Sequence, residues 1–447
     1  MHDLSSCVLR NTLIGSIRDL LPRGTFLVGG CIRDMLLGKE PLDYDLVTGA
    51  PVEGVARDIA LRLGTKPFWL DERRGIMRIV MKPSGVSIDL SRFKGPDIGA
   101  DLMARDLTIN AMAWDLASNV FLDPSDGMDD LMNGLIRIIS EKNLTDDPLR
   151  ALRALRFSVT LDFPLREETS RLIRKHRDLL GQISPERVKL ELERALEVPH
   201  SARFFRLLTW EGLIPVLFPP SLTGESDDRH LWLPVFSVAL PIAEEMDQII
   251  YAADALMPGS RALLEEETEA GVRRAALLRL ASFILGLREG RLRDRRGEEA
   301  GDIAGHAADF LAGLRFSARS CRMLRDALDS LAPAEALLSK APAEALDLYR
   351  FCERAAPVLP EALLLALVRP GEKGRRQAAS LVWDYFESVY GEWKKSPLLT
   401  GREVMEAAGF DPGPRVGMLL AEVEEARAQG LVGSKEEALA YLHRIVA

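Results

Sequence analysis

Strand-type sequence is confined to the first third of this 447-residue chain, and that segregation limits the possible folds more than any other feature. Short Val- and Ile-rich runs, "TFLVGG", "YDLVT", "GIMRIVM", "GVSIDLSRF", "AMAWDL", "NVFLDP" and "LIRIIS", are separated by turns such as "KPSG" and "DPSDG". Helical patterns interleave at residues 32–37 and around 52–63. From Glu141 onward alternation stops, and apolar residues recur at helical spacing in "DDPLRALRALRF", "ERVKLELERALEV" and "GVRRAALLRLASFILGL". Strands first and helices after imply an α+β chain. The expectation is a mixed α/β head over residues 1–140 with about five strands, then all-α segments over 141–210, 211–395 and 396–447. Breaks are expected at "LFPPSLTGESDD", "MPGS", "REGRLRDRRGEEAGD" and "VRPGEKG". The last segment opens at "KSPLLTGREV", where Pro397 and Gly401 bracket a turn.

With 47% hydrophobic and 28% charged residues the chain can build more than one core. Its four cysteines form no CxxC or Cys/His cluster, which argues against a disulfide framework or structural zinc and fits a reducing cytoplasm. The most apolar run, "LWLPVFSVALPIA", is too short to span a bilayer and is broken by two prolines, so a soluble, membrane-free, cytoplasmic protein is expected. The net charge of −9 argues against nucleic acid only on average, because binding needs a local basic stripe. Residues 141–210 carry 14 Lys+Arg against 11 Asp+Glu, a mild excess.

The stretch "LVGGCIRDMLLGKEPLDYDLV" carries the chemistry. Alternate residues of a strand face one side, so Asp43 and Asp45 project together. Two such carboxylates repel unless a cation lies between them, and an oxygen-only donor set favours Mg²⁺. Upstream, Gly29 and Gly30 let backbone N–H groups approach a phosphate at a helix start, with Arg33 adding charge. A glycine pair followed by DxD is the layout for two-metal phosphoryl or nucleotidyl transfer; a Gly turn with a solvated "LDYDL" turn is the plainer alternative. Asp89, acidic within an alternating strand, either joins the metal cluster or pairs with Arg92.

In "ARDLTINAMAWDL", Arg105 suits a triphosphate oxygen, and Asp106 and Asn110 suit ribose hydroxyls, unless Asp106 is a simple cap. In "DDPLRALRALRF", Pro148 suits a helical first turn with Asp146 or Asp147 near the cap, Leu149, Leu152 and Leu155 on one face and Arg150, Arg153 and Arg156 on another. That is either a capped amphipathic helix or a base reader. Cytosine and adenine both present an amine beside a ring-nitrogen acceptor. A carboxylate and an Arg one helical turn apart, Asp147 and Arg150, would accept those two bases and reject uracil and guanine.

In this order the motifs resemble the class II tRNA nucleotidyltransferases and bacterial poly(A) polymerases of the polymerase-β superfamily. The resemblance rests on the catalytic stretch above, on "RDLTINAMA", "LDPSDGMDDLMNGLIRII", "DDPLRALRALRF" and "ISPERVKLELERAL" with Glu186, Arg187 and Glu191, and on the tail "LLTGREVMEAAGFDPGPRVGMLLAEVEEARAQG". Ala104 stands where the family usually has a second Arg, and Asp146 where it usually has Glu. The resemblance implies a polymerase-β-like head followed by helical neck, body and tail. It implies a two-metal Mg²⁺ site on Asp43 and Asp45 with Asp89 as the third catalytic carboxylate. Nucleotide binding is implied for Gly29, Gly30, Arg33, Asp34, Arg105, Asp106, Asn110, Asp147, Arg150, Arg153 and Arg156, and RNA binding for Arg187, Lys189 and Arg402. The substrates would be CTP and/or ATP, and the partner a tRNA acceptor arm rather than DNA. Protein side chains would serve as the template while the tRNA 3′-hydroxyl displaces pyrophosphate. Residues 230–331 resemble an HD phosphohydrolase-like region, but "LRLASFILGLREG" stands where the metal doublet belongs, so a structural role is expected there.

The region "WLDERRGIMRIVM" lacks the basic run of poly(A) polymerases, which favours tRNA over general tailing. Only "KGPDIGADLMA" separates Phe93 from Arg105, where CCA-adding relatives carry a longer loop. The short connection resembles enzymes that add two cytidines and leave the terminal A to a separate enzyme. Complete CCA addition is the neighbouring expectation and poly(A) synthesis the alternative. A silent RNA-binding scaffold or transfer to a small molecule would sit poorly with the intact motifs and the long helical remainder.

Overall fold

Seven strands form one mixed sheet: β1 Thr25–Val28, β2 Asp43–Thr48, β3 Pro67–Asp71, β4 Ile76–Val80, β5 Ser87–Arg92, β6 Ala113–Asp115 and β7 Phe121–Leu122, in the order β3-β4-β5-β2-β1-β6-β7. Only β2 and β5 are parallel; every other neighbouring pair is antiparallel. The computed structural model describes residues 3–223, 229–294, 302–340, 343–368 and 374–446. Within it the chain divides into two compact units, Met1–Glu191 with Leu207–Leu217, and Leu192–Arg206 with Phe218–Ala447.

In the first unit, β1 is buried along its whole length and sits beside β2 in the middle of the sheet. One face is apolar: Met77 and Ile79 of β4 oppose Leu90 and Ile88 of β5, and the helix Val52–Arg62 lies against β3, β4 and β5. On the other face Phe26, Val28, Val47 and Ala113 pack with Leu102, Phe93 and Ile98, so the connection after β5 covers the β2-β1-β6 part of the sheet.

The mixed head with helices after it matches the expected class, but the sheet has seven strands rather than about five. The run "PFWLD" is a strand (β3) that sequence reading passed over, because an edge strand exposed on both sides shows no alternation. Conversely "LIRIIS" is not a strand, since Ile136 and Ile138 make only isolated bridges to Leu165 and Leu107. Helices Glu141–Asp146, Leu149–Leu161, Glu167–His176 and Pro185–Leu196 follow.

Among its described residues the second unit is helical apart from a small hairpin, β8 Glu267–Glu269 with β9 Val272–Arg273, which departs from the all-α expectation. Phe205 stacks on Phe283 at 4.0 Å between ring centroids, and Phe218 on Phe310 at 4.7 Å. The helix Arg229–Tyr251 runs through Pro234 and Pro241 instead of breaking there. Among the described residues no helix is long and apolar enough to cross a membrane. The HD-like stretch forms helices Ile303–Gly313 and Ala318–Asp329. Helices Gly401–Ala408, Pro414–Ala428 and Lys435–Val446 close on a cluster of Leu399, Val404, Val416, Leu419, Val423, Ala438 and Leu442, and a capping box between Thr400 and Glu403 starts the first of them. The expected breaks in "LFPPSLTGESDD", "REGRLRDRRGEEAGD" and "VRPGEKG" fall partly outside the described residues.

Candidate active site

Because β2 and β5 are parallel and in register, Asp43 lies opposite Ser87 and Asp45 opposite Asp89. Directly opposed side chains share a face, so Asp43, Asp45 and Asp89 stand together on one side of the sheet. The Ser87 hydroxyl donates to Asp43 Oδ1 at 2.5 Å. Asp89 is engaged by Arg78 of β4, which donates to both its oxygens at 2.6 and 2.7 Å. The alternative pairing with Arg92 fails on geometry, since Arg92 is three residues further along the strand and faces the other side.

Burial pushes the Asp45 carboxyl up to about 6; Arg105 opposes this, and Asp89 and Asp43 add to it. Among the described residues no three His, Cys, Asp or Glu side chains form a ready-made metal cage. The donor chemistry nevertheless fits Mg²⁺, because two clustered carboxylates on an open face suit an ion that keeps part of its shell for water and substrate oxygens.

On the β1 side, Gly29 has φ +79°, and a Cβ there would lie 2.7 Å from an Arg105 guanidinium nitrogen and 3.3 Å from Asp45 Oδ2. A glycine is needed for both the backbone and the space. Gly30 starts the helix Gly30–Leu36, just before the expected start at Cys31. Arg105 is braced by Asp101, to which it donates at 3.1 and 3.0 Å. Asp101 is only 2% exposed and also accepts the Lys94 N–H at 2.8 Å, so one buried carboxylate fixes both the connection after β5 and the arginine beside Gly29.

A second network runs away from this point. Arg33 donates to Asp34 at 2.9 Å and to Asn110 at 2.6 Å; Asn110 donates to Asp106 at 3.2 Å; Arg153 donates to Asp106 at 2.7 Å and to Glu191 at 3.3 Å; and Arg156 donates to Glu191 at 2.6 Å. Burial pushes the Asp106 carboxyl up, but Arg153 and the hydrogen bonds from Leu107 N–H and Asn110 outweigh it and hold the group below the usual carboxylate range. The Phe157 ring lies under three guanidinium groups, Arg33 at 4.9 Å, Arg153 at 5.8 Å and Arg156 at 4.1 Å.

Thus Gly29, Gly30, Arg33, Asp34, Arg105, Asp106, Asn110, Arg153 and Arg156 form one contiguous arrangement. The proposed reader pair sits one turn apart as expected, but both side chains are engaged elsewhere. Asp147 is extended and directly precedes Pro148 at the helix start, and its carbonyl accepts the Arg150 N–H at 3.0 Å. Arg187 donates to Asp147 at 2.8 Å, and Arg150 donates to the carbonyls of Arg105 and Ala104 at 2.9 and 2.6 Å. Lys189 is half-buried on the helix Pro185–Leu196. Arg402, in the second unit, is exposed and donates to Glu406 at 2.9 Å. Ser87, Arg78, Asp101 and Phe157 had no distinguishing sequence signal beyond a polar residue in a strand, an acid before an Arg, or an aromatic on an apolar helix.

Residues 25–137 match the family model described as the poly A polymerase head domain, and residues 162–223 the model described as the probable RNA and SrmB-binding site of polymerase A. Over 428 residues, 94% of this chain and 91% of the relative, the sequence is 33% identical to a CC-adding tRNA nucleotidyltransferase of Geobacter sulfurreducens. Over 441 residues, 95% of this chain and 96% of the relative, it is 32% identical to an A-adding tRNA nucleotidyltransferase of Deinococcus radiodurans. A solved CCA-adding enzyme in complex with CTP shares the fold at a TM-score of 0.74, with 20% identity and coverage of 100% of this chain and 99% of that one. A carboxylate-bearing head sheet with a long helical remainder defines an enzyme of the nucleotidyltransferase class. Within that class the chain belongs to the tRNA nucleotidyltransferase family.

Proposed function

We propose that this tRNA nucleotidyltransferase transfers CMP from CTP to the 3′ end of tRNA, stops after two cytidines and leaves the terminal A to a separate enzyme. The supporting observation is the short connection between β5 and Arg105, tied down by buried Asp101. A pocket that accepts C and then A needs an element that can rearrange, and this one is fixed at both ends by one carboxylate. Relatives of similar identity are named for C addition and for A addition, so family membership alone does not decide between them.

In this reading Asp43 and Asp45 hold Mg²⁺, and Asp89, steadied by Arg78, shapes the same face. When bound, Mg²⁺ supplies charge neutralisation at the reacting phosphate. Arg105 beside Gly29 contacts the triphosphate, and Asp106 with Asn110, fixed by Arg153 and Arg33, meets the ribose. Arg150 and Asp147 exchange their present partners, the Ala104 and Arg105 carbonyls and Arg187, for the ring nitrogen and amine of cytosine. The tRNA 3′-oxygen attacks the α-phosphorus, forming the new P–O bond as the bond to pyrophosphate breaks. Arg187, Lys189 and Arg402 serve the RNA, and four free cysteines suit a reducing cytoplasm.

The test is a tRNA transcript ending at the discriminator base, incubated with Mg²⁺ and CTP, ATP or both, with products sized to single nucleotides. Growth by two residues with CTP, unchanged by ATP, is expected. Growth by three with both nucleotides would overturn the CC assignment, and long tails from ATP alone would make the chain a poly(A) polymerase.

A further inference from the structure

One surface on the catalytic face belongs to none of the motifs. Successive strand registers place Phe68 opposite Arg78, Arg78 opposite Asp89 and Asp89 opposite Asp45. Directly opposed residues share a face, so these four side chains form a row on the same side of the sheet. At about 4.8 Å per strand, Phe68 stands roughly 14 Å from Asp45. Phe68 is 49% exposed, on an edge strand where apolar exposure invites aggregation unless it has a use.

The two flanks of the carboxylates differ. Over β2, β1 and β6 the face is covered by Phe93, Ile98 and Leu102, and the residues assigned to the nucleotide gather on that side. Over β5, β4 and β3 the same face presents Asp89, Arg78 and Phe68, all partly exposed. Transfer of a nucleotidyl group is in-line, with the attacking and leaving oxygens on opposite sides of the phosphorus. With the nucleotide held towards β1, the acceptor oxygen arrives from the β5-β4-β3 side. The charge there suits a polyanion: of the five Lys and Arg at residues 66–82, Arg78 and Arg74 pair with Asp89 and Asp71, and exposed Lys66, Arg73 and Lys82 are left to meet phosphates.

We propose that Phe68 is a stacking platform for a base near the 3′ end of the acceptor RNA, holding that strand over β4 and β5 so that its terminal hydroxyl reaches Asp45. The assignment rests on the RNA-acceptor reading above. Aromatic stacking is indifferent to base identity, which suits an acceptor whose last base differs from one tRNA to the next.

The experiment uses the full chain without nucleotide and a tRNA transcript carrying 2-aminopurine as its 3′-terminal base, whose fluorescence falls on stacking. Wild type should quench the probe. Phe68→Ala should abolish the quench and weaken binding roughly tenfold, and Phe68→Trp should restore both. Trp69→Ala is the control for strand damage: Trp69 is 37% exposed on the same strand but lies opposite Met77 on the other face, so it should change neither readout. Unaltered quenching in Phe68→Ala, or equal loss in Trp69→Ala, would overturn the platform while leaving the RNA reading intact. Concentration-dependent dimerisation abolished by Phe68→Ala would reassign the surface to a second copy of this chain. Failure of the wild type to bind the transcript at all would overturn the acceptor reading together with the platform.

Discussion

Asp45 shows how one residue can tie chemistry to stability. Its carboxyl is pushed from 3.8 up to about 6, first by burial, with Arg105 opposing and Asp89 and Asp43 adding. A folded-state pKa above the unfolded one means that the native chain binds more protons between the two values. Stability of the metal-free protein therefore falls as pH rises from about 4 to about 6, and the whole penalty persists above that. Two units correspond to roughly 3 kcal/mol at most. In a chelator, Asp45→Asn should therefore melt above wild type at about pH 7, and the two should converge as the pH falls through about 4, where the folded state is protonated and the unfolded state becomes so. Mg²⁺ should raise the wild-type melting temperature at the higher pH and leave the variant nearly unmoved, because the ion compensates the charge that the variant lacks. Thermal melts under these four conditions check the argument. A variant no more stable than wild type in chelator near neutral pH would mean that Asp45 is solvated.

Among the elements, the connection from β5 to Arg105 bears most on specificity, and a single buried carboxylate holds it. Asp101→Ala removes the acceptor of Arg105 and of the Lys94 N–H together. Breaking such a pair should cost roughly 3 kcal/mol, and CTP should bind about tenfold more weakly as Arg105 loses its brace. A denaturant melt and KM for CTP measure the two effects; full stability with an unchanged KM would show that the connection holds itself. How far this site was legible in sequence follows from the same elements. β1, β2 and β5 announce themselves because each has a buried face and a marker residue: the glycine pair after β1, and acidic residues in the alternating pattern, Asp43 and Asp45 on β2 and Asp89 on β5. β3 does not, because an edge strand has no obligate inner face. The Asp147–Arg150 spacing holds, with the Arg150 N–H on the Asp147 carbonyl, but local spacing cannot show that Arg187 and two carbonyls claim the side chains. Phe157 is silent in sequence, since an aromatic on a buried helix face reads as core until three arginines from two parts of the chain meet over it.

At the scale of the whole molecule, an acidic chain that binds a polyanion must confine its attraction to few places. Formal charge overstates what those places offer. In the basic stretch 141–210, Arg153 and Arg156 are held by Asp106 and Glu191, Arg187 by Asp147, Arg174 by Glu167, Lys142 by Asp146 and Lys175 by Glu141. A cation already neutralised within the protein contributes little counterion release when RNA arrives. Each phosphate newly contacted steepens the dependence of log K on log salt by about 0.7 to 0.9, so the slope for tRNA should be shallow, roughly −3 to −5. The remainder of the affinity must come from contacts that salt does not screen, stacking on Phe68 among them. Titrations of tRNA across a salt series separate the two contributions. Phe68→Ala should lower the affinity extrapolated to high salt and leave the slope unchanged, whereas Lys66→Ala should flatten the slope by about one contact. A wild-type slope of roughly −8 or steeper would mean that the internal ion pairs open to meet the phosphates, and that the arginine network of the neck rearranges when tRNA binds.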